Sequence, residues 1–207
     1  MKRSVPAATV QRLPIYLQVL ERLSGDVISV SSDELAERAG VNSAKVRKDL
    51  SYLGSYGTRG VGYDAEHLRY QIRVVLGLDR GAAVVIVGIG NLGRALTRFR
   101  GFGAHGFRVV AVVDDDPEVV GTVVAGHRVE PFGRLTEIVE ERGAEIGVIT
   151  VPAASAQAVA DALVAAGIRG ILNFAPKVLS AEGVEVRTVD LSNELQVLSY
   201  YLHSAQP

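Results

Sequence analysis

Three glycines in the middle of the chain have the spacing of a phosphate-binding loop. Gly88, Gly90 and Gly93 follow directly after the apolar run of residues 83–87. In this pattern the first glycine permits a tight turn, the second lets the backbone approach a pyrophosphate, and the third allows close packing of a helix on a strand. A lone match is weak evidence, but here a strand is predicted before the loop and a helix after it. The predicted dinucleotide site comprises Gly88, Ile89, Gly90, Asn91, Leu92 and Gly93.

An aspartate beyond the loop indicates which dinucleotide would bind. A second apolar run, residues 107–113, ends in Asp114, about twenty residues past the last glycine of the pattern. A carboxylate at this position hydrogen-bonds the ribose hydroxyls and repels a 2′-phosphate, so NAD⁺ and NADH are favoured over their phosphorylated forms. The alternative for the acidic run is a solvated turn, which we favour for Asp116 because Pro117 follows it.

Two later loops are expected near the nicotinamide. Residues 146–150 and 170–173 are predicted strands, and ligands of parallel sheets bind at the C-terminal ends of the strands. Ordinary turn chemistry would explain the same loop residues equally well, so both interpretations stay open. The residues concerned are Thr150, Val151, Pro152, Asn173 and Phe174.

Basic residues cluster on a short helix near the N-terminus. A capping box that starts at Ser31 predicts one helix ending at Gly40, and Asn42 or Ser43 caps the next. The connection between them has the length of a helix-turn-helix. A major groove admits such a helix, and the phosphates around it require cations. The alternative is a solvated helix face, which three basic residues alone would fit as well.

A glycine-rich segment after this helix favours DNA binding. Residues 56–63 can form a tight ribbon with an arginine near its tip, which predicts the wing of a winged helix. The predicted DNA-binding residues are Ser43, Lys45, Arg47, Lys48, Tyr52 and Arg59.

An earlier helix is also predicted, with both Pro6 and Pro14 in first-turn positions. The apolar face that follows consists of Ile15, Leu17, Leu20 and Leu23.

Composition bounds the remaining choices. The chain has 207 residues, of which 48% are hydrophobic and 22% charged, and it has no cysteine. A soluble globular α/β protein is expected, and any redox sensing must use a bound cofactor instead of thiols. We predict a winged-helix domain at residues 1–78, a doubly wound Rossmann-like domain at 79–190 and a final helix at 191–207. No secretory leader or membrane span is expected, so cytoplasm is the default location.

The chain lacks the residues that an enzyme of this class would need. No substrate domain is expected after the Rossmann-like domain, no nucleophile, base and acid form a set, and the four histidines lack metal-ligand spacing. We therefore predict no catalytic residue and no metal. Two alternatives are an NAD-dependent oxidoreductase with a basic accessory domain and a CoA-binding module, which residues 151–176 resemble. The intact glycine pattern and Asp114 favour a dinucleotide over CoA.

The predicted final helix has an apolar face that needs a cover. Its members recur at helical spacing and are Leu191, Leu195, Leu198 and Leu202. A small Rossmann-like domain offers little spare surface, so a partner subunit is the expected cover.

Four segments of the chain are specific in combination. They are residues 46–52 (Val-Arg-Lys-Asp-Leu-Ser-Tyr), residues 57–63 (Gly-Thr-Arg-Gly-Val-Gly-Tyr), the glycine pattern, and residues 170–176 (Gly-Ile-Leu-Asn-Phe-Ala-Pro). Together they resemble the Rex family of redox-sensing transcriptional repressors, over essentially the whole chain.

The resemblance implies a homodimer that exchanges its C-terminal helix between subunits. It implies a repressor of respiratory and fermentative genes that binds palindromic operator DNA while NADH is scarce and releases it when NADH rises, with NADH and NAD⁺ as ligands. It also assigns Arg12 and Asp190 to a contact between the DNA-binding domain and the swapped partner. Phe99 departs from the pattern, because relatives carry a tyrosine whose hydroxyl joins this interface.

Overall fold

The computed structural model of the chain describes residues 5–23, 28–54, 57–58 and 60–204. The chain divides into two compact units, Met1–Arg80 and Gly81–Pro207. The first unit is mainly helical, and the second is built around a parallel sheet that is followed by a helix.

Within its described residues, the first unit contains four helices and a short two-stranded ribbon. In chain order its elements are α1 (Ala7–Arg22), β1 (Ser29–Val30), α2 (Ser32–Ala39), α3 (Ser43–Ser51), β2 (Tyr63–Asp64) and α4 (Ala65–Val75). Strands β1 and β2 are antiparallel, and Thr58 forms an isolated bridge with Gly62. These elements match the predicted helix-turn-helix and ribbon. Tyr56 and Arg59 of the predicted ribbon lie outside the described residues.

The caps of α2 and α3 follow from their sequences. The Ser31 hydroxyl accepts the Glu34 N–H at 3.0 Å, as the capping box predicts, and Gly40 ends α2 in the left-handed region with φ of 65°. Of the two candidates for the N-cap of α3, Asn42 is the one used, since its side-chain oxygen accepts the Ala44 N–H at 2.7 Å. A tight turn therefore fixes where α3 starts.

The prediction for the first helix is wrong in one respect. Pro14 lies inside α1 and not in a first turn, while Pro6 is the N-cap. A proline at this point has no N–H to donate to the Val10 carbonyl four residues earlier. Val10 is 40% exposed, so water can reach this end of the helix. The buried face also differs from the prediction at Ile15, which is 42% exposed. The buried residues here include Leu13 and Tyr16 together with the predicted Leu17, Leu20 and Leu23.

The second unit is a seven-stranded sheet in the order β5-β6-β4-β3-β7-β8-β9. Its strands are β3 (Ala82–Val87), β4 (Phe107–Asp114), β5 (Val123–Val124), β6 (His127–Pro131), β7 (Ile146–Ile149), β8 (Gly170–Asn173) and β9 (Glu185–Thr188). All pairings are parallel except that of β5 with β6. The chain leaves β3 first to one side and then to the other, so the strand order reverses between β3 and β7. This is the switch point at which such sheets bind ligands.

Apolar packing covers both faces of β3. Val85 and Val87 belong to one buried cluster, whereas Val84 and Ile86 belong to another. The two-sided burial explains why the strand is a continuous apolar run without polar alternation. The helices of this unit are α5 (Asn91–Thr97), α6 (Arg100–Ala104), α7 (Leu135–Arg142), α8 (Ala153–Ala165) and α9 (Leu191–Ser204), with a 3₁₀ turn at Phe132–Arg134.

Several elements differ from the sequence prediction. The sequence predicts a single helix after the glycine loop, but α5 ends at Thr97 and the separate α6 follows. No prediction was made for the short hairpin of β5 and β6 or for α7. Strands of two to five residues carry too little periodicity to be recognised without their neighbours.

Helix α9 has no buried residue. Leu191, Leu195, Leu198 and Leu202 are each more than half exposed, and they form the α9 leucine face. Within the described residues of this chain, this face has no cover. Across the same residues, none of the helices is long and apolar enough to span a bilayer.

Replacement of the interior proline of α1 should stabilise the first unit. Pro14→Ala restores an N–H for the Val10 carbonyl and removes a ring that clashes with the preceding turn, so we expect a gain of about 1–3 kcal/mol in the free energy of unfolding. Urea titration followed by circular dichroism measures the change. Gln18→Ala, at another exposed position of α1, is the matched control and should change stability by less than about 0.5 kcal/mol. A Pro14→Ala protein no more stable than this control would contradict the analysis.

Candidate dinucleotide and DNA-binding sites

The glycine loop is held against β7 by very close backbone packing. Gly88 has φ of +94°, and a Cβ atom there would lie 2.8 Å from the Thr150 carbonyl oxygen. A Cβ atom on Gly93 would lie only 1.9 Å from the Gly88 carbonyl oxygen. Neither position accepts a side chain, so these two glycines bring the start of α5 onto the end of β3.

Gly90 differs from its two neighbours in the pattern. Its φ is −71°, which any residue adopts, and no atom lies within 4 Å of the position that a Cβ would occupy. The protein itself therefore has no need for a glycine here. The open space beside Gly90 fits a pyrophosphate that approaches the backbone, which is the role the sequence pattern assigns to this residue.

Thr150 fastens the loop from the neighbouring strand. Its hydroxyl lies 2.6 Å from the Gly88 carbonyl oxygen and 3.0 Å from that of Val87, and its own N–H donates to Val87 at 2.9 Å. The structure thus places Thr150 and Val151 at the glycine loop, in agreement with the expected meeting of the strand ends. Thr150 supports the loop, and its hydroxyl hydrogen is directed to backbone carbonyls.

Asp114 lies beside the same loop. One carboxylate oxygen accepts the Ile89 N–H, and the other accepts the Asp116 N–H at 2.9 Å. A carboxylate keeps further lone pairs after two such bonds, so Asp114 can still accept hydrogen bonds from ribose hydroxyls. Asp116 accepts the Glu118 N–H at 2.9 Å, as in a turn. Asp114 therefore presents a negative charge next to the space at Gly90.

The loop after β8 has a structural organiser at its start. Asn173 is fully buried, donates to the carbonyl oxygens of Ala175 at 3.1 Å and Lys177 at 2.9 Å, and accepts the Ala175 N–H at 2.9 Å. These bonds are turn chemistry, one of the two interpretations left open by the sequence. Phe174 packs on a buried cluster, while Pro152 is exposed at the start of α8.

The remaining loop residues divide between core and surface. Ile89 is fully buried, Leu92 is 41% exposed, and Asn91 is exposed at the start of α5. Phe99, which is 56% exposed, stands between α5 and α6 with its ring edge-on to Phe102 at 5.3 Å.

Helix α3 presents its cations to solvent. Val46, Asp49 and Leu50 are buried, whereas the basic residues lie on the exposed surface of the helix. These exposed residues are Lys45, Arg47 and Lys48, with the partly buried Ser43 and Tyr52 at the two ends. Arg47 also donates to the Ser32 hydroxyl at 3.0 Å and so ties α3 to α2. The arrangement can place cations along a helix that enters a groove.

A buried carboxylate joins α3 to α1, and sequence analysis did not find it. Asp49, which is 1% exposed, receives the Arg12 Nε and Nη2 at 2.7 Å each and the hydroxyls of Thr9 and Tyr16 at 2.8 Å each. We refer to these four residues as the Asp49 cluster. A detectable signal was present, because Thr9, Arg12 and Tyr16 recur at i, i+3 and i+7 and so share one face of α1.

The cluster perturbs two ionisable groups. Burial alone would raise the pKa of Asp49, but hydrogen bonds from Arg12, Thr9 and Tyr16 outweigh it and hold this pKa below its usual value. Burial and the hydrogen bond to Asp49 raise the pKa of Tyr16 to about 12. At neutral pH the cluster therefore contains a charged carboxylate and a neutral phenol.

The two residues assigned by resemblance to an interdomain contact have partners close by. Arg12 pairs with Asp49 in its own unit, with 22% of its side chain exposed. Asp190 accepts the Ser192 N–H at 2.9 Å at the start of α9. Each therefore helps to organise a helix of its own unit.

Comparisons with known proteins agree with this two-part architecture. Residues 4–51 match the family model described as "Putative DNA-binding protein N-terminus", and residues 79–177 match the CoA binding domain. A redox-sensing transcriptional repressor Rex of Streptomyces griseus is 59% identical over 201 residues, which cover 96% of this chain and 79% of the relative. Rex of Carboxydothermus hydrogenoformans is 48% identical, with coverage of 95% of both chains.

Solved structures of a Rex-family repressor named RSP have the same fold. RSP in complex with NAD⁺ and operator DNA superposes with a TM-score of 0.91 at 35% identity, covering 98% of this chain and 94% of that one. RSP in complex with NADH superposes with a TM-score of 0.87 at 34% identity, covering 98% and 96%. The chain combines a winged-helix unit with a Rossmann-like nucleotide-binding unit. It belongs to the Rex family of redox-sensing transcriptional repressors, which confirms the family and the fold predicted from the sequence.

Two glycines of the loop should respond differently to substitution. Gly90→Val should abolish NADH binding, because its side chain enters the space for the pyrophosphate, and should change the free energy of unfolding by less than about 1 kcal/mol. Gly93→Ala should destabilise the second unit by about 3 kcal/mol or more, because its Cβ meets a backbone carbonyl. Calorimetric titration with NADH and thermal unfolding measure the two effects. A Gly90→Val protein that binds NADH normally would show that the pyrophosphate lies elsewhere.

Proposed function

We propose that this chain is a DNA-binding repressor that senses the ratio of NADH to NAD⁺. It binds operator DNA while NADH is low and releases the DNA when NADH binds. The observation that carries the proposal is the open space at Gly90 beside the Asp114 carboxylate, in a chain whose other unit bears a cationic helix. The relatives are named as repressors, which favours a regulator over an oxidoreductase.

Similar proteins support both halves of the proposal. RSP, with the same fold at 35% identity, has been solved with NAD⁺ and operator DNA together and with NADH alone. We propose that Lys45, Arg47 and Lys48 contact DNA here, with Ser43, Tyr52 and Arg59 as further contacts. A cation neutralising a phosphate releases counterions and supplies most of the sequence-independent affinity.

The ligand of the nucleotide unit is assigned from the residues that would bind its pyrophosphate and its ribose. Gly88, Gly90 and Gly93 would form the pyrophosphate loop, and Asp114 would accept the ribose hydroxyls and exclude a 2′-phosphate. The strand-end residues Thr150, Val151, Pro152, Asn173 and Phe174 would border the nicotinamide. Asn173 and Thr150 would do so by shaping the loops, since their side chains are already hydrogen-bonded within the protein.

The matched CoA binding domain makes CoA the second candidate ligand. CoA bears a phosphorylated ribose, and the Asp114 charge would oppose such a phosphate in the position where NADH carries a hydroxyl. We therefore assign NADH and NAD⁺. Titration with CoA under the same conditions separates the two candidates.

Redox sensing requires a difference in affinity between two states of the dimer. The oxidised nicotinamide carries a positive charge and the reduced ring is neutral, so a site enclosing the ring can distinguish them. To move a population from 1:99 to 99:1 requires about 10⁴-fold differential affinity, or about 5.5 kcal/mol. Shared between two sites, this is under about 3 kcal/mol each.

A dimer gives this difference a geometric consequence. Two α3 helices must lie about 34 Å apart to meet successive major grooves of a palindromic operator, so a small rearrangement is enough to prevent binding. We propose that α9 is exchanged between subunits, that Arg12 and Asp190 take part in the contact this creates, and that Phe99 leaves that interface without a tyrosine hydroxyl. The uncovered α9 leucine face supports the exchange. Access to chromosomal DNA implies a cytoplasmic location.

The proposal is tested by DNA release. A palindromic duplex is first enriched from a random pool by the wild-type protein, and its mobility shift is then measured with NAD⁺ or NADH. We expect NADH to release the duplex at concentrations where NAD⁺ does not, and Gly90→Val to keep DNA binding without the response to NADH. A wild-type protein that retains the duplex at saturating NADH would overturn the sensing function. Failure to enrich any duplex would overturn DNA recognition itself.

Substitution in the α9 leucine face should weaken the dimer. Leu195→Glu would bury an unpaired charge against the partner, so we expect the dimer dissociation constant to rise by about 100-fold or more. Asn193→Glu adds the same charge on the opposite side of α9 and is the matched control, with little expected change. Analytical ultracentrifugation over a concentration series measures both. Equal dissociation constants for the two variants would contradict the exchanged helix.

A further inference from the structure

The Asp49 cluster contains more polar contacts than apolar helix packing requires. Val46 and Leu50, which flank Asp49 on α3, are fully buried and belong to the same apolar cluster as Leu13 and Tyr16 of α1. Their packing supplies attraction between the helices without directional constraint. Four hydrogen bonds are then added at a single carboxylate that lies between them.

A buried charge is a poor means of gaining stability. Removing a carboxylate from water costs several kcal/mol, and apolar replacements of buried ion pairs are often equally or more stable. Buried ionic groups do constrain geometry in some proteins, because hydrogen bonds require defined distances and angles. Both Asp49 oxygens are bound here, one by Thr9 and Arg12 and the other by Arg12 and Tyr16. This pattern fixes the rotation and the axial position of α3 relative to α1.

The fixed helix carries the proposed DNA contacts on its outer side. Arg47 is two residues before Asp49 and therefore lies on nearly the opposite side of α3. Lys48 lies next to Arg47 on the exposed surface of the helix. A rotation of α3 about its axis would move these side chains by the same angle relative to a groove. Phosphate contacts by long flexible side chains tolerate such a shift, but base contacts require defined geometry.

We propose that Asp49 is a positioning residue for sequence-specific DNA recognition, acting through Thr9, Arg12 and Tyr16 to set the orientation of α3. This inference rests on the proposed DNA-binding function and extends it to a residue that cannot touch DNA itself. It predicts that loss of the cluster lowers specificity more than it lowers general affinity for DNA.

The main test replaces the charged pair by apolar side chains. The double variant Arg12→Met and Asp49→Leu is compared with the wild type in the absence of NADH. The probes are the duplex enriched by the wild-type protein and a scrambled duplex of the same composition and length. We expect the double variant to keep its affinity for the scrambled duplex within about threefold, and to lose about tenfold or more in the ratio of specific to scrambled affinity. A tenfold change corresponds to about 1.4 kcal/mol.

A second pair of variants keeps both charges and guards against failure to fold. Tyr16→Phe removes one hydroxyl bond to Asp49, and Tyr70→Phe removes a hydroxyl that is exposed on α4. We expect Tyr16→Phe to lower the specificity ratio by about twofold to fivefold, as the loss of one hydrogen bond of about 0.5–1 kcal/mol implies, and Tyr70→Phe to leave it unchanged.

A further variant separates positioning from general stability. Ile72→Val removes one methylene from the same apolar cluster and leaves all four hydrogen bonds to Asp49 in place, so its specificity ratio should remain that of the wild type. Calorimetric titration with NADH should give the wild-type affinity for Tyr16→Phe, Tyr70→Phe and Ile72→Val, none of which removes a residue of the proposed contact between subunits.

Two results would overturn the inference. One is a folded double variant, or a Tyr16→Phe variant, that retains the wild-type specificity ratio. The other is an equal fall in this ratio for Ile72→Val, which would make the effect one of stability. If the wild-type protein enriches no duplex at all, the proposed function fails first, and that outcome is distinguishable because no specific probe is then obtained.

Discussion

The nucleotide unit depends on the approach of two backbone segments that leave no room for a side chain. The first turn of α5 meets the end of β3 so closely that a single carbon on Gly93 would overlap the Gly88 carbonyl oxygen. Thr150 then joins the same carbonyl from β7. The sheet order reverses between β3 and β7, and sheets of this kind bind ligands in the crevice at such a point. The contact between the two backbone segments therefore lies at that crevice. The proposed nucleotide site opens beside Gly90 and is bordered by Asp114.

The crevice assigns different tasks to residues that sequence patterns group together. Gly88 and Gly93 are required by the protein's own packing, whereas the protein makes no such demand at Gly90, where we propose that the pyrophosphate lies. Asp114 accepts the Ile89 N–H within the protein, and under our proposal it also accepts hydrogen bonds from the ribose. Asn173 has a structural role only, because the hydrogen bonds of its side-chain amide serve to hold the turn after β8. A residue near a site is therefore not always a contact of the ligand.

The first unit depends on a different interaction, a buried carboxylate between two helices. Helical periodicity identified part of the buried face of α1, and Ser31 and Asn42 identified the caps of α2 and α3. The Asp49 cluster was not recognised, because Asp49 falls among the basic residues of α3 and a solvated position is usual for aspartate. Only the packing of α1 against α3 shows that Asp49 is inside and that Thr9, Arg12 and Tyr16 all point to it. The interior Pro14 was misplaced for a related reason, since local propensity disfavours it and tertiary packing of α1 overrides that preference.

The sequence by itself determined the family, the order of a helix-turn-helix unit and a parallel-sheet unit, and the position of the glycine loop. These features depend on local signals, namely capping residues, apolar runs and glycine spacing, which act over a few residues. The tertiary structure decided which glycines the protein's own packing requires, which polar side chains are already bound within the protein, and where the short strands β5 and β6 and helix α7 lie. Those outcomes depend on contacts between residues far apart in sequence, and no local pattern records such contacts. The same reason explains why the α9 leucine face was visible as a pattern, while the proposed partner that covers it lies beyond a single chain.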